Sequence, residues 1–158
     1  MSTRLAVRIV AVALAMSAMI GGPVAAASAS NFTIKLAVVR ASPGLRHSQT
    51  RLRRALLRYK ASHRAAPVIR AIRAQDRDLS ALRTKVRRSS ASSSAGSRAR
   101  REIITGLGLV LRSNYGVSTD LRRQGPFGLT PTQARRAARL ATRGDALYRR
   151  GVLLLARS

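Results

Sequence analysis

Cysteine and tryptophan are both missing from the 158 residues, and only five side chains are acidic against 31 Lys and Arg. Without cysteine there is no disulfide staple, no thiolate metal ligand and no thiol nucleophile. A small domain of this kind must be held together by helix packing or by a partner, and at this charge a free monomer is expected to be only marginally stable. Aromatic side chains are also scarce, with two Phe and three Tyr, so the interior is left to Leu, Ile, Val and Ala. The missing acids matter most. A chain of formal charge +26 cannot lace its surface with alternating ion pairs, and its self-repulsion opposes compactness unless anions screen it. Lys35, Lys60 and Lys85 are the only lysines. A GC-rich genome accounts for arginine over lysine but not for the shortage of acids.

Few reactions survive these absences. Asp76, Asp78, Glu102, Asp120 and Asp145 are scattered, and the closest two stand two apart, on different faces of a helix. That placement does not suit a hydrolase with paired carboxylates. His47 and His63 lie sixteen apart with no third ligand to complete a metal set, and His63 reads as closing an apolar stripe one turn after Tyr59. The segment GLGLVL at 106–111 falls inside a helical pattern and lacks the Lys and Ser/Thr of a phosphate-binding loop, so its glycines read as packing contacts. No serine has a His–Asp relay. Neither an enzyme, nor a cofactor, nor a metal is expected.

Residues 1–29 read as a secretory signal. Arg4 and Arg8 make a positive start, residues 9–20 (IVAVALAMSAMI) form an uncharged apolar core, and Gly21-Gly22-Pro23 ends any helix. Small residues then offer cleavage after Ala27 or Ala29. All three regions in order resemble a general-pathway signal peptide. The core spans twelve residues, short of the about 20 that cross a bilayer, and there is neither an Arg-Arg pair before it nor a cysteine to lipidate. Removing residues 1–29 takes two arginines and leaves 129 residues with 29 basic and five acidic, a formal charge of +24. The expected location is secreted or attached to the cell envelope. Asn31-Phe32-Thr33 matches a glycosylation sequon, but the bacterial character of the layout gives it no use.

Along the remainder, residues 30–47 are read as an arm, extended or helical. Phe32, Ile34, Leu36 and Val38 alternate at period two, Phe32, Leu36 and Val39 fit a helix, and Pro43-Gly44 supplies a turn. Helical spacing runs from 50 to 88, with Leu52, Leu56, Tyr59 and His63 on one face, then Ile69, Ile72, Leu79, Leu82 and Val86 on another. The phase changes at Pro67, which predicts a kink or break near Ala66, a kink being preferred because no glycine or good N-cap flanks it. The serine-rich stretch 89–97 reads as a flexible loop. A helix over 98–115 would turn Ile103, Ile104, Leu107, Val110 and Leu111 inward, with Glu102 in its first turn. Residues 116–130 read as the longest irregular connection. Thr130-Pro131-Thr132-Gln133 is a capping box with proline at the first helical position, opening a helix over 131–156. The expected fold is all-α, a small bundle of three to four helices over 48–158. Its composition resembles that of short exported helical proteins of GC-rich bacteria, which transfers no site.

The last helix divides by side. Arg135, Arg136, Arg139, Arg143, Arg150 and Arg157 fall within a sector of about 100°. Ala137, Gly144 and Gly151, seven apart on the apolar side, would let a neighbouring helix approach closely. An ordinary solvated face alternates signs at i,i+4, and here Asp145 offers a partner only to Arg149. The ridge therefore reads as an anion-binding face. Two functions follow from it. One is a non-enzymatic binder of anionic envelope polymers or a membrane surface through ionic contact. The other is an interaction protein pairing with another helical chain, or with itself, whose charge serves solubility. Export and the lack of any recognition motif argue against specific nucleic-acid readout.

Overall fold

The computed structural model describes residues 31–124 and 128–157, and among them no strand. The targeting segment and both cleavage frames lie outside the described residues. Four helices follow one another: α1 (Phe32–Ser62), α2 (Ala65–Arg88), α3 (Ser94–Gln124) and α4 (Pro131–Ala156). The chain forms the small all-α bundle that its periodicity predicts. Short connections force neighbouring helices antiparallel, so α1 packs on α2, α2 on α3 and α3 on α4. At one end Ile34, Val86, Ala99 and Leu155 share a buried cluster. Leu52, Val68, Leu121 and Ala137 share another at the opposite end.

The arm proves to be helix. Ile34, Val38, Leu45 and Leu52 are all buried, and their spacing of four, seven and seven residues makes one inward stripe that runs straight past Pro43. The proline removes one backbone hydrogen bond, but it lies on the exposed side, and the packed stripe carries the helix through. Phe32 and Val39, of the alternative helical set, face out. Pro43-Gly44 makes no turn.

Of the kink or break expected near Ala66, it is the break that forms, ahead of Pro67, and not the preferred kink. His63 takes a left-handed conformation with φ 52°, its N–H donates to the Tyr59 carbonyl at 2.8 Å, and Arg64 is extended. Proline is then the third residue of α2, where a missing N–H leaves nothing unsatisfied. His63 closes no apolar stripe. It is exposed and meets Tyr59 edge-on, ring centroids 6.1 Å apart.

The serine-rich loop is shorter than 89–97, because Ser93 starts a helix. Its hydroxyl accepts the Gly96 N–H at 3.0 Å as an N-cap. The same oxygen accepts from the Asn31 amide at 3.1 Å, so the buried sequon asparagine is packed on the start of α3. Glu102 consequently sits in the third turn rather than the first. From α3, Arg100 reaches back to the carbonyls of Val86, at 3.1 Å, and Arg87. It thus covers acceptors at the negative end of α2.

Residues 116–124, expected to be irregular, extend α3. Ser113, Val117, Ser118 and Leu121 continue the buried face of Ile103, Leu107 and Val110. The buried hydroxyls are answered, Ser113 donating to the Ala137 carbonyl at 2.8 Å and Ser118 to that of Tyr115 at 3.0 Å. The capping box of α4 forms as its residues imply. Thr130 Oγ1 accepts the Gln133 N–H at 3.3 Å, and Gln133 Oε1 accepts the Thr130 N–H at 2.9 Å.

Candidate anion-binding face

Backbone contact with α3 sets how α4 is presented. Ala137, Gly144 and Gly151 are buried along it. A Cβ on Gly144 would lie 2.7 Å from the Gly106 carbonyl oxygen, and one on Gly106 would lie 2.5 Å from that of Gly144. One on Gly151 would meet the Ala99 carbonyl at 2.8 Å and Ile103 Cγ1 at 2.7 Å. The two helices thus touch main chain to main chain, and α3 of the same chain fills the small-residue seam. Gly106, read from the sequence as a packing contact with no partner named, is the α3 residue that meets this seam. Its signal was only that a glycine stands where α3 turns toward α4.

On the opposite side Arg135, Arg136, Arg139, Arg143, Arg150 and Arg157 are all exposed. They are not equivalent. Arg150 Nε lies 3.3 Å from Glu102 Oε1, an ion pair between α4 and α3, and the same oxygen is 3.3 Å from Arg98 Nε. The charge of Arg150 is answered within the fold, a pairing that spacing along the chain does not reveal. Among the described residues the other five have no ion pair. Arg149, off the ridge, meets Asp145 Oδ2 at 3.0 Å.

Asp145 is buried and the other four acids are half-buried. Burial raises the pKa of Asp145, with the charge and hydrogen bond of Arg149 working the other way. Burial likewise raises that of Asp76, whose hydrogen bond from the Asn114 amide, at 2.8 Å, pulls in the opposite sense. None of the five acids is fully exposed, and every exposed charged side chain among the described residues is Arg or Lys.

Among the described residues no group of three His or acidic side chains could hold a metal, and none of the helices is long and apolar enough to cross a membrane. His47 and His63 stand about 24 Å apart along the axis of α1 at 1.5 Å per residue. No family model, curated protein or solved structure matches this chain. What the face can do follows from its own groups. Guanidinium presents a planar fork of donors that pairs bidentately with phosphate or carboxylate, and here four such forks project from α4, with Arg157 just past its end, and none of the five has an ion pair among the described residues.

Proposed function

We propose that the protein is a non-enzymatic binder of phosphate-bearing polyanions of the cell envelope, exported behind its signal segment and engaging its ligand through the outward arginines of α4. The observation that carries this reading is the one-signed surface. Glu102 and Asp145 are paired with arginines of the same fold and no acid among the described residues is fully exposed, so most of the neutralising charge has to come from elsewhere. Arg135, Arg136, Arg139 and Arg143 occupy little more than two turns, which suits several contacts along one polymer. Binding of this kind gains its free energy by releasing condensed counter-ions and weakens steeply with salt.

The test is a salt series against inorganic polyphosphate. Affinity should fall by orders of magnitude between dilute and moderate salt, log K falling linearly with log salt. The triple variant Arg135→Gln/Arg139→Gln/Arg143→Gln should lower the magnitude of that slope by roughly one for each phosphate it no longer neutralises. An equal charge removal elsewhere, Arg87→Gln/Arg88→Gln/Arg123→Gln, should leave it nearly unchanged. Equal effects from both triples would mean diffuse charge rather than a face. Absence of binding at low salt would end the proposal.

A further inference from the structure

The outer side of α1 carries a second pattern, which the arginine ridge does not absorb. Phe32, Val39 and Leu57 are 54%, 48% and 52% exposed on a helix whose opposite side buries Ile34, Val38, Leu45 and Leu52. At 100° per residue they fall within a narrow sector together with half-buried Leu36 and exposed Pro43, interrupted by Thr50 and Arg54. Basic residues border that sector on both sides, Lys35, Arg46 and Arg53 on one and Arg40, Arg51 and Arg58 on the other. The helix contains no acid. A soluble helix has one apolar side and spends it on the core. This one also keeps a broken line of large apolar side chains on the far side.

We infer that α1 lies flat on an anionic lipid bilayer, its outer apolar stripe entering the interface and its flanking cations meeting phosphate head groups. An interfacial helix has this make-up: an apolar strip of Phe, Leu and Val with Lys and Arg along its borders. Long basic side chains there extend their charged ends to the head groups while their stems follow the apolar surface. Charge complementarity selects the occupant. A second copy docked through the same face would bring like-charged borders together with no acid on α1 to answer them. An anionic leaflet supplies negative charge on both sides of the stripe at once. The inference rests on the polyanion reading only for the sign of the charge. It concerns a different helix and adds an apolar contact that a phosphate polymer cannot provide.

The chain has no tryptophan, so single tryptophans report without background. Val39→Trp and Leu57→Trp are eighteen residues apart, five turns, and share one angular position about 27 Å apart. Thr105→Trp places a control on the exposed side of α3. With vesicles of equimolar phosphatidylcholine and phosphatidylglycerol, emission at positions 39 and 57 should shift to the blue. Both should be quenched to similar depth by brominated lipid, while position 105 stays in water. Vesicles of phosphatidylcholine alone should give no shift. Phe32→Ser/Val39→Ser/Leu57→Ser, which keeps every charge, should weaken binding to the anionic vesicles by about tenfold or more while polyphosphate binding is retained. Four results would overturn the inference: no shift, a shift at one position only, reporters already blue-shifted without lipid, or a serine variant that dissociates a self-associated form and leaves vesicle binding intact. Loss of polyphosphate binding by the α4 variant reads the other proposal separately.

Discussion

Tyr148 is 3% exposed and its hydroxyl has no hydrogen-bond partner among the described residues. Burial, reinforced by the charge of Asp145, pushes its pKa to about 12. The unfolded chain releases this proton near pH 10 and the folded chain only near pH 12. The stability it contributes is therefore complete below pH 10 and disappears as pH rises toward 12, about 2–3 kcal/mol in all. Tyr148→Phe should remove most of this alkaline loss in denaturant titrations at pH 8 and 11. At neutral pH it should change stability by less than about 1 kcal/mol, since the hydroxyl it deletes is unpaired. The glycines separate by the same kind of local accounting. Gly106→Ala drives a methyl into the main chain of α4 and should destabilise by about 1–3 kcal/mol. Gly116→Ala meets nothing within 4 Å inside a helix and should stabilise by about 0.5–1 kcal/mol. From sequence, Gly106 reads as a packing contact and Gly116 as the start of a connection, yet both lie within α3. Only the close approach of α4, a contact between distant segments, separates them.

Elements were legible where the local chemistry was unambiguous. Thr130, Pro131 and Gln133 specify the start of α4 by themselves, and they form it. The other boundaries depend on which face is buried, a property of the whole fold. Phe32, Leu36 and Val39 make as good a helical stripe as Ile34, Val38 and Leu45. The first set can be recognised as outward only after α2 packs on α1 and the second enters the shared core. Pro43 and Pro67 likewise have the same propensity and opposite outcomes. One lies on a helix held by packing on its far side, the other in a first turn where it leaves nothing unsatisfied. The break at residues 63 and 64 yields a prediction at this scale. His63 holds a left-handed conformation that costs a side chain about 1 kcal/mol and glycine nothing. His63→Gly should raise the denaturation midpoint by about 0.5–1 kcal/mol equivalent with an unchanged slope. If Arg64 and Ala65 instead continued one rod, the glycine would weaken it by a similar amount.

For the whole molecule the deciding quantity is the charge, which was plain in the sequence. Its distribution was not, because nothing in the spacing of five acids says that Asp145 is buried and the other four half-buried. An ordinary bundle with mixed surface charges loses as much attraction as repulsion when salt is added, so its stability changes little below moderate ionic strength. Here exposed charges of only one sign repel at every separation shorter than the screening length, about 30 Å at 0.01 M and about 8 Å at 0.15 M. Raising sodium chloride across that interval should increase the melting temperature, on the order of 5–10 °C if about 2 kcal/mol of repulsion is screened. Polyphosphate should produce the same rise at far lower phosphate concentration, because a ligand bound only by the folded state adds its binding free energy to stability. The Arg135→Gln/Arg139→Gln/Arg143→Gln variant divides the two effects. Relief of repulsion makes it more stable than the parent in dilute buffer, while loss of the face makes it respond less to polyphosphate. A melting temperature that stays flat or falls with salt would mean the fold tolerates its charge unaided, and the proposed need for an external anion would fail with it.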